Sequence, residues 1–155
     1  MATALPRLTR INYNRREKFI ADLNMLTRTA HAHALITGKP VQLFFDLSFP
    51  KKIMIRVPSQ RSTDAQHARG SETFEPLTSE YGNNELVWDD HFDIQQFVID
   101  GKDEAVGANL KTIWFYISPD GLAQQVTLVL KEHEGETVRT LTLEMNPFFV
   151  QFVAV

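Results

Sequence analysis

The stretch RTAHAHALITGKPVQLFFD, residues 28–46, decides the fold because it contains the junction between a helix and a strand. Gly38 suits the left-handed position that closes a helix, and Pro40 prevents the helix from resuming. The residues that follow Pro40 are apolar and aromatic, as in a strand. We therefore expect a helix that ends at about Thr37 and a β domain that begins directly after it.

Upstream of this junction, from Asn14 to about Thr37, apolar residues recur at helical spacing. Asn14 followed by Glu17 has the spacing of a capping box. Steps of three and four residues place five residues on one apolar stripe of a helix: Phe19, Leu23, Leu26, Ala30 and Ala34. The spacing predicts one long helix that packs this stripe against the rest of the chain.

The rest of the chain, residues 38–155, has the pattern of strands and turns. Two hairpins are predicted, one from PVQLFFDL, SFPK and KIMIRVPS, the other from KTIWFYIS, PDG and AQQVTLVLKEH. A turn at 134–135 leads into another strand, and FFVQFVAV is the last one. Residues 59–83 are polar and aperiodic, which predicts a long mobile loop. The expected fold class is α+β, with the helix (1–37) packed on a mostly antiparallel β-sandwich or meander (38–155) in one domain.

Basic and acidic residues are unevenly distributed along the 155-residue chain, whose net charge is −3. Residues 1–62 contain eleven Lys/Arg and three Asp/Glu, whereas the remainder contains five and sixteen. Such asymmetry occurs where a protein contacts nucleic acid or a membrane surface, and also where a basic helix packs on an acidic domain. We favour the second interpretation because no basic cluster is interleaved with aromatic residues on which bases could stack.

Metal binding has two candidates in the sequence, and we expect neither to hold an ion. His31 and His33 are two residues apart and point about 200° from each other on a helix, so they cannot chelate one ion. In WDDHFD, a strand over 87–94 would place Asp89, His91 and Asp93 on one face, which is a plausible ligand set. The same pattern is typical of an amphipathic strand whose polar side faces water.

Catalysis and cofactor binding find no support in the sequence. The chain has no cysteine, which excludes thiolate chemistry and disulfides. It contains no nucleophile elbow, phosphate-binding loop or dinucleotide fingerprint, and no apolar run of the about 18 residues that a membrane span needs. We expect no enzyme activity, no cofactor and no small-molecule substrate.

The order of these parts resembles the GspH/FimT-like minor pseudopilins and minor pilins. In that family a helix passes through a glycine-containing joint into the first strand, and Thr37, Gly38, Val41 and Leu43 match this joint. A late strand ends in an aromatic-proline-glycine turn, which is approximated here by Phe115, Pro119, Asp120 and Gly121 with extra residues between the aromatic residue and the proline. The family's cleavage site and its apolar N-terminal anchor have no counterpart in this sequence.

The resemblance implies a structural minor pseudopilin of a type II secretion system. Such a protein is anchored in the inner membrane by the missing segment, exposes this domain to the periplasm, and joins other pseudopilin subunits through its N-terminal helix. The resemblance places four arginines in the protruding half of that helix, where they would contact subunits or the membrane surface: Arg7, Arg10, Arg15 and Arg16. The alternative is a type IV minor pilin that binds DNA for uptake through Arg56, Arg61 and Arg69, which the acidic β domain disfavours.

Overall fold

The computed structural model describes residues 5–59, 73–78, 84–106 and 110–155, with side chains from Asn14 onward. In these residues it contains one helix, α1 (Leu5–Thr37), and the other described elements are strands. The described strands are β1 (Val41–Asp46), β2 (Lys52–Pro58), β3 (Phe74–Pro76), β4 (Glu85–Val87), β5 (Phe92–Ile99), β6 (Lys102–Asp103), β7 (Thr112–Ile117), β8 (Val126–Glu134), β9 (Thr137–Asn146) and β10 (Gln151–Ala154).

The strands form two antiparallel sheets. Sheet 1 has the order β3-β2-β1-β7, with β4 also paired to β2, and sheet 2 has the order β10-β9-β8-β5-β6. Every described strand pair is antiparallel. The α+β class with one N-terminal helix and antiparallel sheets, expected from the sequence, is therefore confirmed.

Two expectations about the strands are wrong. β7 and β8 do not form a hairpin, because β7 pairs with β1 while β8 pairs with β5 and β9. The turn after β7 instead carries the chain from sheet 1 to sheet 2. Within residues 59–83, predicted to be a loop, β3 forms and pairs with β2. The remaining parts of that segment, 60–72 and 79–83, lie outside the described residues.

The helix–strand junction has the geometry that its sequence predicts. Gly38 has a φ of 64°, and its amide donates a hydrogen bond of 2.9 Å to the carbonyl of Ala34, which closes the helix. The turn after β7 packs against this end of α1. Gly121 in this turn has a φ of 88°, which favours glycine, and a Cβ added there would lie 2.9 Å from Leu35 Cδ2, so the turn lies directly against the helix.

The hydrophobic core joins α1 to both sheets. Aromatic rings form its centre, and five of them are essentially inaccessible to solvent: Phe45, Phe92, Phe97, Phe115 and Phe152. Helix α1 closes one margin of sheet 2, where the side-chain amide of Asn24 donates to the carbonyl of Phe152 (3.0 Å) and accepts from its amide (2.8 Å). Within the described chain, no helix is both long and apolar enough to cross a bilayer.

Candidate functional site

The face of α1 that packs on the β domain carries the apolar stripe of the sequence. Its five residues are all buried in the core: Phe19, Leu23, Leu26, Ala30 and Ala34. The Phe19 ring stacks on Phe92 at a centroid distance of 4.4 Å and meets Trp88 edge-on at 5.1 Å. The two alanines have no exposed surface. We call this the packed face.

One of the predicted assembly residues belongs to the packed face. The guanidinium of Arg16 holds the carboxylate of Glu132 on β8 through an ion pair, with Nε 2.9 Å from Oε2. Glu132 is 2% exposed, whereas the Arg16 side chain is 30% exposed. The expectation that Arg16 lies in a protruding half of the helix therefore needs correction, since the buried carboxylate depends on this cation.

Of the other three arginines, the structure describes the side chain of Arg15 alone. Arg15 is half-buried and its charge acts on Asp89. Arg7 and Arg10 lie within the backbone range of α1, and their side chains are outside the described residues. An assembly role for these three residues stays a prediction.

Asp89 shows how charge is balanced beside the helix. Burial alone would raise its pKa, but hydrogen bonds from the His91 amide and ring, together with the charge of Arg15, hold the pKa of Asp89 below its ordinary value. The His91 amide lies 2.9 Å and its Nδ1 2.7 Å from Asp89 Oδ1. Asp89 therefore stays ionised and stabilises the turn that precedes β5.

WDDHFD is not the single strand that would align three ligands. Strand β4 ends at Val87 and a turn at 90–91 intervenes before β5 begins, so Asp93 is separated from the pair formed by Asp89 and His91. Asp93 instead meets His133 of β8, with Oδ2 2.6 Å from Nε2. Among the described residues no three histidines or carboxylates come together as a metal site.

The two histidines of the helix lie at the margins of the packed face. His31 Nε2 would be 3.2 Å from a Cβ at Gly121, so its ring lies against the turn after β7. His33 is half-buried, and burial lowers its pKa because the charged form loses solvation. The structure thus places both at the contact between helix and β domain.

A second apolar stripe runs along the side of α1 that faces away from the β domain. Ala21, Met25, Ala32 and Ile36 are exposed, with Met25 60% and Ile36 84% accessible. Their spacing of four, seven and four residues keeps them on one face, which Arg28 shares. The same periodicity that predicted the packed face could have revealed this exposed stripe, and the sequence interpretation overlooked it.

The outward face of sheet 1 also carries a cluster that the sequence did not reveal. The rings of Phe44 and Trp114 stack at 5.9 Å, and the Arg56 guanidinium lies 4.6 Å from the centre of the Phe44 ring. Trp114 Nε1 donates to the hydroxyl of Tyr116 at 3.3 Å. These residues come from three strands and meet through strand pairing. No local sequence pattern therefore predicts the cluster.

Comparison of the chain with protein-family models, with curated proteins and with solved structures found no match.

Proposed function

We propose that this protein is a structural subunit that assembles with other pilin-like subunits through α1, as a minor pseudopilin of a type II secretion system. The observation that carries the proposal is the exposed stripe of α1. A helix that already packs one apolar face on its own domain has no internal use for a second one, and exposed apolar surface is typical of interaction sites.

Residue sizes along the exposed stripe suit contact with another helix. Ala21 and Ala32 are small and allow two helices to approach closely, while Met25 and Ile36 are large enough to enter the grooves of a neighbour. The two short motifs on which the family resemblance depends also meet in space, because Gly121 lies against Leu35 just before the Gly38 joint. Both features support an assembly role, with membrane anchoring and a periplasmic location as parts of the same proposal.

The DNA-uptake alternative receives no support from the described residues. Arg56 is held by its contact with Phe44 and by a hydrogen bond to the carbonyl of Phe74. Arg61 and Arg69 lie outside the described residues. One engaged arginine does not provide the several phosphate contacts that DNA binding requires. Salt-sensitive micromolar binding of duplex DNA by the chain would displace the secretion role.

A cross-linking experiment in cells tests the proposal. A photo-reactive residue placed at Ile36 or Met25 of the protein as the cell makes it should capture another helical subunit of the same assembly. The matched control is Lys102, which is also exposed but lies at the far side of sheet 2. Capture from Lys102 with equal yield, or no capture from the stripe in cells that secrete normally, would contradict the proposal.

The paired variants Met25→Asp and Ile36→Asp give a second readout. Both should leave the folded domain intact and abolish secretion, because each places a charge at the proposed helix contact. Normal secretion by the double variant would exclude the exposed stripe as an assembly surface.

A further inference from the structure

Strand β7 lies at one margin of sheet 1 and pairs only with β1 among the described strands. In an antiparallel strand, the backbone groups of alternate residues point to opposite neighbours. The amide of Leu47, just after β1, donates to the carbonyl of Lys111 at 2.8 Å, so the backbone groups of the odd-numbered residues of this segment point toward β1. Thr112, Trp114 and Tyr116 consequently direct their backbone groups to the outer margin.

Part of this outer margin is already used within the chain. Tyr116 donates its amide to the side-chain oxygen of Gln124 at 2.8 Å and accepts from the Gln124 amide at 3.2 Å. Ser118 continues the pairing with Leu122. No described residue pairs with the outward backbone groups of Thr112 and Trp114. The pairing of residues 122–124 with β7 thus stops before Thr112 and Trp114, whose outward backbone groups remain available among the described residues.

A groove of about 260 Å³ lies beside these two residues. Ile99, Leu110 and Trp114 provide apolar walls, and Glu104 is its one charged lining residue among those described. Glu104 has only a loose contact with the exposed Lys102, 3.7 Å between Oε1 and Nζ, and such surface pairs are weak. The carboxylate is therefore free to meet a cation that enters the groove.

The margin of sheet 2 formed by β10 provides a contrast. There, Asn24 of the helix satisfies both backbone groups of Phe152. Proteins usually cover or blunt the margins of their sheets, because unpaired backbone groups recruit other strands. Asn24 thus covers part of the margin at β10, whereas none of the residues that the structure describes covers Thr112 and Trp114 at the margin of β7, beside the groove.

We propose that β7 accepts an extended peptide segment of a partner protein as an additional strand, held by the backbone groups of Thr112 and Trp114. The segment has apolar side chains that enter the groove and a lysine or arginine that pairs with Glu104. Added strands gain affinity from main-chain hydrogen bonds and specificity from alternate side chains. A second copy of this chain is a poorer occupant, since an antiparallel pairing of two β7 strands would bring two Glu104 carboxylates to one margin. This inference does not depend on the assembly role of α1.

Peptide titration followed by amide NMR tests the inference. The probe is the blocked hexapeptide KTVTVK, which has alternating side chains and terminal lysines. Saturable shifts at the amides of Thr112 and Trp114 are expected. Two isomers serve as controls, one N-methylated on both valines and one on both threonines. Because the amides of a strand alternate in direction, one isomer should bind about tenfold or more weakly and the other like the parent.

Two variants locate the contact. Thr112→Pro removes one outward donor at the first position of the strand, where proline is tolerated, and should weaken binding about fivefold. Glu104→Gln should weaken binding and flatten its salt dependence, whereas Glu144→Gln on β9 should change neither. If Thr112→Pro fails to fold, the two N-methylated peptides and the Glu104→Gln variant are sufficient to test the inference.

Three results would overturn the inference. The first is the absence of saturable shifts at these amides at millimolar peptide. The second is equal binding of the parent and both isomers. The third is dimerisation of the free chain through the same amides, which would show that a second copy occupies the margin.

Discussion

The two apolar faces of α1 both follow helical periodicity, but one is buried and the other is exposed. On the packed face, Leu26 is 3% exposed, while its sequence neighbour Met25 on the exposed stripe is 60% exposed. Helical periodicity reports that a face is apolar and does not report what covers it. One face of α1 therefore holds the domain together, and the described part of the chain leaves the other face exposed to solvent.

Replacing Leu26 by Asp should disrupt the packed face and have the largest effect on the stability of the domain. An unpaired carboxylate in the core costs several kcal/mol, which approaches the about 5–15 kcal/mol by which domains are stable. We expect loss of the cooperative thermal transition and of the native circular dichroism spectrum. Met25→Asp is the matched control, since it introduces the same charge one residue away.

Met25→Asp should change the free energy of unfolding by less than about 1 kcal/mol, which covers the lower helix propensity of aspartate. Equal destabilisation by the two variants would show that the exposed stripe is covered by the chain itself. That outcome would remove the structural basis of the proposed assembly role.

The ion pair between Arg16 and Glu132 lies at the N-terminal end of the packed face. Arg16→Ala should destabilise the domain by about 3 kcal/mol, because it leaves the buried carboxylate of Glu132 without its cation. Arg28→Ala, on the exposed stripe, should change the free energy of unfolding by no more than about 0.5 kcal/mol. Denaturant unfolding measures both values.

A double variant separates the net contribution of the ion pair to stability from the destabilisation caused by leaving one buried charge unpaired. Arg16→Met with Glu132→Leu should recover most of the stability lost by Arg16→Ala, since apolar residues of similar volume often replace a buried pair without loss. An unchanged free energy of unfolding in Arg16→Ala would restore the sequence interpretation, in which this arginine belongs to the protruding half.

Local patterns predicted the parts of this fold that depend on neighbouring residues. The helix end at Gly38 and the apolar stripe of α1 follow from spacing within one element. The partner of β7 could not be found this way, because the turn residues PDG indicate a turn and leave open which sheet receives the next strand. Pairing between β1 and β7 joins residues far apart in the chain.

The candidate sites also show which contacts follow from neighbouring residues and which depend on distant parts of the chain. The carboxylates and the single histidine of WDDHFD are close in sequence, yet the turn at 90–91 separates them, so Asp89 pairs with His91 and Asp93 pairs with His133. Arg16 pairs with Glu132, which is 116 residues further along the chain. No pattern within a single sequence predicts such a contact. The exposed stripe was within reach of periodicity alone and was overlooked because Arg28 interrupts its apolar character.

The smallest expected effect concerns Asp89, which lies with Arg15 at the boundary between the two faces. Its folded-state pKa is below the ordinary value of 3.8, so the unfolded chain binds the proton more tightly. The stabilising contribution is therefore fully present well above pH 3.8 and is lost as the pH falls through the lower folded-state pKa.

Asp89→Asn should remove this contribution, which we expect to be less than about 1 kcal/mol because the carboxylate is partly exposed to solvent. Between about pH 5 and pH 3, where a carboxyl group with a lowered pKa loses its stabilising charge, the free energy of unfolding measured in urea should therefore fall less in the variant than in the native chain. Asp90→Asn, one residue away and exposed, is the control for the loss of one negative charge in the same turn. A pH dependence that is identical in Asp89→Asn and the native chain would show that the charge of Arg15 and the His91 contacts do not stabilise this boundary.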